Sequence, residues 1–95
     1  MKHLVSTEQF QKQLKKLSSG QQQRTIKALK KLRAFVEQEK IPQGLGFKKI
    51  NGDKYEIRVD IRLRIALKKE GGVLACVLIG NHDEIKHYLK NYRNK

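Results

Sequence analysis

Tyr55-Glu56-Ile57-Arg58-Val59-Asp60-Ile61-Arg62-Leu63-Arg64-Ile65-Ala66-Leu67 decides how this chain is read. Every odd position from Tyr55 to Leu67 is aliphatic or aromatic, while Glu56, Arg58, Asp60, Arg62 and Arg64 fall between them. A period of two is the mark of a half-buried strand, because successive side chains point to opposite faces of a sheet. One face is fit for a core. The other carries three arginines and two carboxylates. A row of guanidinium groups on a rigid sheet can grip phosphate through planar, paired N–H donors. The stretch has no Gly or Pro near its middle and is long for one strand. It is either one bent strand or a tight hairpin turning near Asp60 to Arg62. Periodicity does not choose between them, since the odd positions stay apolar throughout.

Working outward, Gly46-Phe47-Lys48-Lys49-Ile50 reads as a short strand, and Asn51-Gly52-Asp53 as the turn of a hairpin into Tyr55. On the other side, Gly71-Gly72 is a turn. Val73 to Ile79 is then an unbroken apolar run, as expected of a central strand buried on both faces. After Gly80-Asn81-His82, a short last helix is expected from Asp83 to about Asn91, with Asp83 and Glu84 favourable at its positive end. The tail from Tyr92 to Lys95 is expected to fray.

The N-terminal half is helical. His3, Leu4 and Val5 form a short first strand, and Ser6 with Gln9 reads as a capping box. The first helix runs to about Leu17, with Phe10, Leu14 and Leu17 on one face. Ser18-Ser19-Gly20 breaks the chain, Gly20 suiting the left-handed residue that follows a helix. The second helix covers about Gln21 to Gln38, with Ile26, Leu29, Leu32, Phe35 and Val36 on one stripe. Ile41-Pro42-Gln43-Gly44 ends the helical part. The order predicts a small α+β domain spanning 1–95, with two N-terminal helices packed on a largely antiparallel sheet of four or five strands and a short C-terminal helix.

Composition narrows the partner. Lys and Arg number 22 against 9 Asp and Glu, a formal charge of +13 in 95 residues. A domain this basic repels itself, which points to a polyanion, nucleic acid first. Affinity for free RNA should be mostly electrostatic and fall with salt. No apolar run approaches a membrane span and no secretory signal opens the chain. The lone Cys76, inside Val-Leu-Ala-Cys-Val-Leu-Ile, suits a core position in a reducing cytoplasm. His, Cys and acidic residues do not cluster at metal-ligand spacing, and no dinucleotide or Walker loop occurs, so neither metal nor small-molecule cofactor is expected.

Three segments carry a family resemblance. Gly46-Phe47-Lys48-Lys49-Ile50-Asn51-Gly52-Asp53-Lys54-Tyr55-Glu56-Ile57-Arg58-Val59 is a loop, basic pair, turn and strand. Leu63-Arg64-Ile65 follows, and then Val77-Leu78-Ile79-Gly80-Asn81-His82-Asp83-Glu84-Ile85, an apolar strand ending in Gly-x-His-Asp-Glu. In this order and spacing the chain resembles the RelE/ParE superfamily of bacterial type II toxins over almost its whole length. It departs at Leu63, where many relatives have an aromatic residue. The resemblance implies a RelE-like fold, a cytoplasmic toxin neutralised by a small cognate antitoxin and, on the RelE branch, ribosome-dependent cleavage of mRNA in the ribosomal A site. The ParE branch implies instead a non-enzymatic inhibitor of DNA gyrase. A third reading is a basic nucleic-acid-binding module without toxicity.

Metal-free RNA cleavage needs a base for the ribose 2′-hydroxyl, cations on the pentacoordinate phosphate, and an acid for the leaving 5′-oxygen. The resemblance assigns Arg64 to the phosphate, in agreement with its outward parity. Arg62 shares that parity and is the alternate, while Arg58 can clamp the same anion. Of Lys48 and Lys49, only one can face the site. His82, between a strand end and a helix start, is the acid–base candidate, since histidine titrates near neutrality. Glu56 is either a base or an ion-pair partner of Arg58 or Arg64. Tyr88 is matched by the resemblance to an RNA-contacting tyrosine, or else packs. As an outward residue, Arg64 should tolerate truncation at little cost in stability.

Overall fold

The decisive stretch is a hairpin. The structure, a computed structural model, describes residues 3–38 and 46–92. In it β3 (Lys54–Arg58) and β4 (Arg64–Glu70) pair antiparallel, with Tyr55 opposite Leu67, Ile57 opposite Ile65 and Arg58 opposite Arg64. Paired positions are separated by an even number of residues, so alternation passes unbroken through the turn. That is why periodicity did not reveal it. Asp60 sets the turn. Its Oδ1 accepts the backbone N–H groups of Arg62 and Leu63, each at 2.8 Å, and the Val59 N–H donates to the Leu63 carbonyl at 2.8 Å. Ile61, apolar and in phase with the core, is instead 88% exposed at the tip.

Before this hairpin come β1 (His3–Ser6), α1 (Glu8–Lys15), α2 (Ser19–Gln38) and β2 (Lys48–Asn51); after it come β5 (Val73–Gly80) and α3 (His82–Tyr92). The five strands lie in the order β1-β5-β4-β3-β2, antiparallel except for the parallel pair of β1 and β5. The middle strand is therefore β4, with β5 beside it and still flanked on both sides. Gly52 and Gly71 take positive φ at the β2–β3 and β4–β5 turns, where a Cβ would be strained. The Ile41-to-Gly44 break and the tail beyond Tyr92 lie outside the described residues.

Helices α1 and α2 cover one face of the sheet. Phe10, Leu32, Ile57, Ile65, Leu67, Leu74 and Cys76 form a core almost closed to solvent. The β4–β5 ladder has a bulge: Ala66 faces Leu78 but Leu67 faces Cys76, leaving Val77 as the extra residue. The inward positions of β5 shift accordingly, from Leu74 and Cys76 to Ile79. Just beyond the bulge, the Ile79 N–H donates to Gln13 Oε1 of α1 at 3.0 Å, fixing helix to sheet. Phe47, just before β2, stacks on Tyr55 of β3 and meets Phe35 of α2 at a tilt, tying the helix to this edge of the sheet.

Two local expectations are corrected. The cap of α1 is Thr7, whose Oγ1 accepts the Phe10 N–H at 3.1 Å; Ser6 remains in β1 and holds Gln11 instead. Reciprocal bonds between Ser18 and Gln21 form the capping box of α2, so Gly20 lies in its first turn and not in a left-handed C-cap. The link between the helices is short enough that one cap serves as the break.

Candidate active site

The second face of the sheet is divided. Helix α3 covers part of it, packing Ile85 and Tyr88 on Ala66, Val77 and Leu78. Its start is fixed by another reciprocal cap: Asn81 N–H to Glu84 Oε1 at 2.9 Å, and Glu84 N–H to Asn81 Oδ1 at 2.8 Å. Gly80 permits this, because a Cβ there would stand 2.9 Å from Glu84 Oε1 and 3.1 Å from Glu84 Cβ. Arg58 and Arg64 share this face with α3, having the parity of Ala66 on which α3 packs.

The charged groups gather on β2, β3 and β4. Lys48 stands opposite Glu56, whose side chain is only 5% exposed. Glu56 Oε2 lies 3.4 Å from Arg64 Nη1 and 3.6 Å from Lys48 Nζ. One carboxylate oxygen thus holds two cations from the neighbouring strands. Arg64 is itself 17% exposed, and its Nε has no partner and no access to water among the described residues. A buried donor left unpaired costs about 1–3 kcal/mol. Truncating Arg64 would relieve that cost but strip a buried carboxylate of one of its two cations, so Arg64 is not an ordinary surface residue, and a stability loss on truncation is to be expected.

Across the β3–β4 ladder, Arg58 sits directly opposite Arg64. Like charges at paired positions disfavour a sheet. Arg58 is exposed, and Gly46, at φ 60°, brings the preceding chain within van der Waals reach of it; a Cβ there would lie 3.4 Å from Arg58 Cβ. Two rows along the same face, beyond Glu56 and Ala66, Lys54 faces Lys68, and Lys54, buried, is neutralised by Asp53 at 2.7 Å. The Lys54 ammonium in turn holds the Asp53 carboxyl below its ordinary range. The cations of this face thus exceed its carboxylates, which is an arrangement that receives an anion.

The ladder continues from Arg64 to Gly80, so the end of β5 adjoins the arginine pair, and His82 follows two residues later as the exposed first residue of α3. Lys48, Glu56 and Arg64 are in contact; Arg58 borders them by register, and His82 follows Gly80, the ladder partner of Arg64, by two residues. Lys49 pairs with Tyr55 and takes the opposite parity. Arg62 is displaced from the face altogether: it lies in the exposed turn, so its assignment as alternate to Arg64 is corrected. Tyr88 is half-buried on the Ala66 and Ile85 cluster.

Sequence reasoning passed over Asp60 as a structural anchor. Besides holding the turn, its Oδ2 receives Arg24 Nε of α2 at 2.9 Å. Partial burial pushes this carboxyl up, but the Arg62 and Leu63 N–H groups and Arg24 outweigh that and hold it below the ordinary aspartate value. An aspartate two and three residues before the N–H groups it accepts was the available signal for the turn. Among the described residues, no three His, Cys, Asp or Glu side chains converge as a metal site.

No family model and no curated protein matches the sequence. Solved structures do. The RelB–RelE antitoxin–toxin complex from Methanococcus jannaschii aligns with a TM-score of 0.68 at 19% identity, over 88% of this chain and 96% of that one. The fold is that of the RelE-type toxins. The Escherichia coli DinJ–YafQ complex aligns at 0.63 and 16% identity, over 90% and 98%. A metal-bound toxin from Helicobacter pylori aligns at 0.63 and 20%, over 90% and 99%. The likeness to RelE and YafQ lies in the path of the chain, at identities where site residues must be argued from their own geometry.

Proposed function

We propose that this chain is the toxin of a type II toxin–antitoxin pair and acts as a metal-independent endoribonuclease on mRNA in the ribosomal A site. The observation that carries this reading is the Arg58–Arg64 pair. Two like charges lie face to face on a RelE-type sheet, one anchored by a buried carboxylate, and an exposed histidine opens α3 two residues after the strand end paired with Arg64. Arg64 neutralises charge building on the phosphate as the 2′-hydroxyl attacks, Arg58 and Lys48 hold the strand, and His82 moves the proton. The products are a 2′,3′-cyclic phosphate and a 5′-hydroxyl.

A cognate antitoxin is supported by a second region. Beside the exposed β1 edge, a cavity of about 330 Å³ opens between α1, α2 and β1, lined by Val5, Phe10 and Ile26 with Lys30 and Arg33. Val5 and Ile26 are 46% and 45% exposed. An acidic, amphipathic antitoxin segment matches both the apolar wall and the two cations. Structural neighbours were solved as complexes with RelB and DinJ.

Cleavage on programmed ribosomes tests the reading, with 5′-end mapping of the products. Arg64→Ala should lower the rate by orders of magnitude. His82→Ala should lower it roughly 10²- to 10⁴-fold and flatten the pH–rate profile near neutrality. His87→Ala, on the exposed side of α3, should do little. Wild-type rates in both site variants, with normal melting, would remove the nuclease assignment. DNA damage signalling on expression, without mRNA cuts, would move the gyrase-inhibitor reading ahead.

A further inference from the structure

Glu56 is the charged group of the site whose part in the reaction is unassigned. A general base must come within about 2.6–3.2 Å of the hydroxyl it deprotonates. The Glu56 side chain is 5% exposed, and its Oε2 faces Arg64 and Lys48. A ribose on the open face would meet those cations first.

The contact to Arg64 is unusual in form. A charged N–H to carboxylate bond normally spans about 2.7–2.9 Å, and arginine usually engages carboxylate through two parallel bonds. Here one nitrogen, Nη1, approaches one oxygen at 3.4 Å, while Nε is enclosed without a partner. The guanidinium is anchored by one corner. Its Nε edge, the fork that binds phosphate through two N–H groups, is uncommitted to any protein acceptor among the described residues. Lys48 sits on the same carboxylate oxygen and is 59% exposed, so Glu56 keeps a counter-charge when Arg64 turns away.

We propose that Glu56 is a positioning residue that holds Arg64 by Nη1 in the resting site and releases its Nε edge to the scissile phosphate, with Lys48 retaining the carboxylate. The charge balance agrees. Lys48, Arg58 and Arg64 with Glu56 carry a net charge of two. That matches the doubly charged pentacoordinate phosphorane better than the singly charged diester, so the carboxylate trims attraction for the ground state and leaves it for the transition state. This rests on the nuclease reading for its chemistry, but not for the Arg64 geometry.

Two measurements on the full chain separate the two. In the first, the Arg64 Nε–H resonance is followed by nitrogen–proton NMR while a 2′-deoxy dinucleotide is added. The wild-type protein should show a dispersed, slowly exchanging signal that shifts on titration. Glu56→Gln should average it towards free arginine and bind the dinucleotide more tightly, severalfold, because the competing carboxylate is gone. An Arg64 signal identical in both proteins overturns the proposal, whether or not the protein cuts RNA.

In the second, ribosome-dependent cleavage by Glu56→Gln should show a kcat lower by on the order of 10²-fold, as for a misplaced catalytic group, with a pH–rate profile of unchanged shape. Glu56→Asp, which keeps the charge, should recover part of kcat and serves also if Glu56→Gln folds poorly. Loss of the acid limb of the profile in Glu56→Gln, with unchanged dinucleotide affinity, would make Glu56 the base and overturn the positioning role. If the wild-type protein cuts no mRNA, the nuclease reading fails and the first measurement still decides Glu56.

Discussion

The two faces of the β3–β4 hairpin are made by the same ten or so residues, read alternately, yet they are built on opposite principles. The odd face places Ile57, Ile65 and Leu67 in contact with α1 and α2, each fully closed to solvent. These three side chains contain no group that needs a partner. The even face buries Glu56 as deeply, at 4% exposure, and surrounds it with cations. A buried ion pair gains little net stability, because desolvation offsets the attraction, but breaking one by removing a single partner is costly. One face therefore supplies stability by area, and the other holds a charge arrangement that stability does not require. Excess charge that a fold retains at such a place is what a polyanion-binding surface needs.

The largest effect should come from the odd face. Ile65→Ala, fully buried in the middle strand, should destabilise the protein by about 2–5 kcal/mol in urea unfolding, through lost burial and a residual cavity. Arg64→Ala, its immediate neighbour on the even face, should cost less, about 1–3 kcal/mol, the penalty of leaving Glu56 with Lys48 alone. Ribosomal cleavage should follow the reverse order once both variants are assayed well below their melting temperatures. If Arg64→Ala proves as destabilising as Ile65→Ala, the even face is a second core and the division of labour fails.

Next in size is the turn that joins the faces. Asp60→Ala removes an acceptor from two backbone N–H groups and frees Arg24, a loss of roughly 1–2 kcal/mol at neutral pH. Because folding lowers the Asp60 pKa from its ordinary 3.8, the carboxylate's contribution is fully present above that value. It is lost as pH falls through the lower, folded value. The gap between wild-type and Asp60→Ala stabilities should thus be constant above about pH 5 and close in stronger acid. Asp60→Asn, which keeps the acceptor but not the charge, should show a smaller gap throughout. A gap that widens in acid would contradict the assigned sign.

These contrasts also explain what could be read from the sequence. The α+β class, the helix pair and the strand positions follow from apolar spacing, which is a property of single residues and their near neighbours. What escaped was set by pairing. Arg62 has the parity of Arg64, yet the Asp60 turn removes it from the sheet. The bulge at Val77 reverses parity within β5, with no local sign in a run that is apolar at every position. Arg64 looked outward and therefore cheap to truncate, because the buried Glu56 carboxylate that it meets belongs to a neighbouring strand. Glu56, Lys48 and Arg64 come from three strands, and only the register places one carboxylate oxygen between two cations. His82 was legible as a strand-end histidine, but only the pairing of Arg64 with Gly80 sets the strand end before it next to Arg64.

The smallest expected effect is at Cys76, and it tests whether the odd face is as closed as the contrast requires. Burial pushes this thiol up to about 12, and it is 1% exposed although it borders the cavity between α1, α2 and β1. A thiolate is the reactive form, so at pH 8 both access and ionisation oppose alkylation. Native protein with excess iodoacetamide should remain unmodified while protein in denaturant is labelled at once, as read by mass spectrometry. The residual native rate should track global unfolding, and so rise in Ile65→Ala but change far less in Arg64→Ala. Labelling that is fast in the wild-type protein and indifferent to Ile65→Ala would mean that the cavity reaches the thiol by local opening. The helix-covered face would then be the mobile one, and the groove beside β1 rather than the charged face would be where the molecule first gives way to a partner.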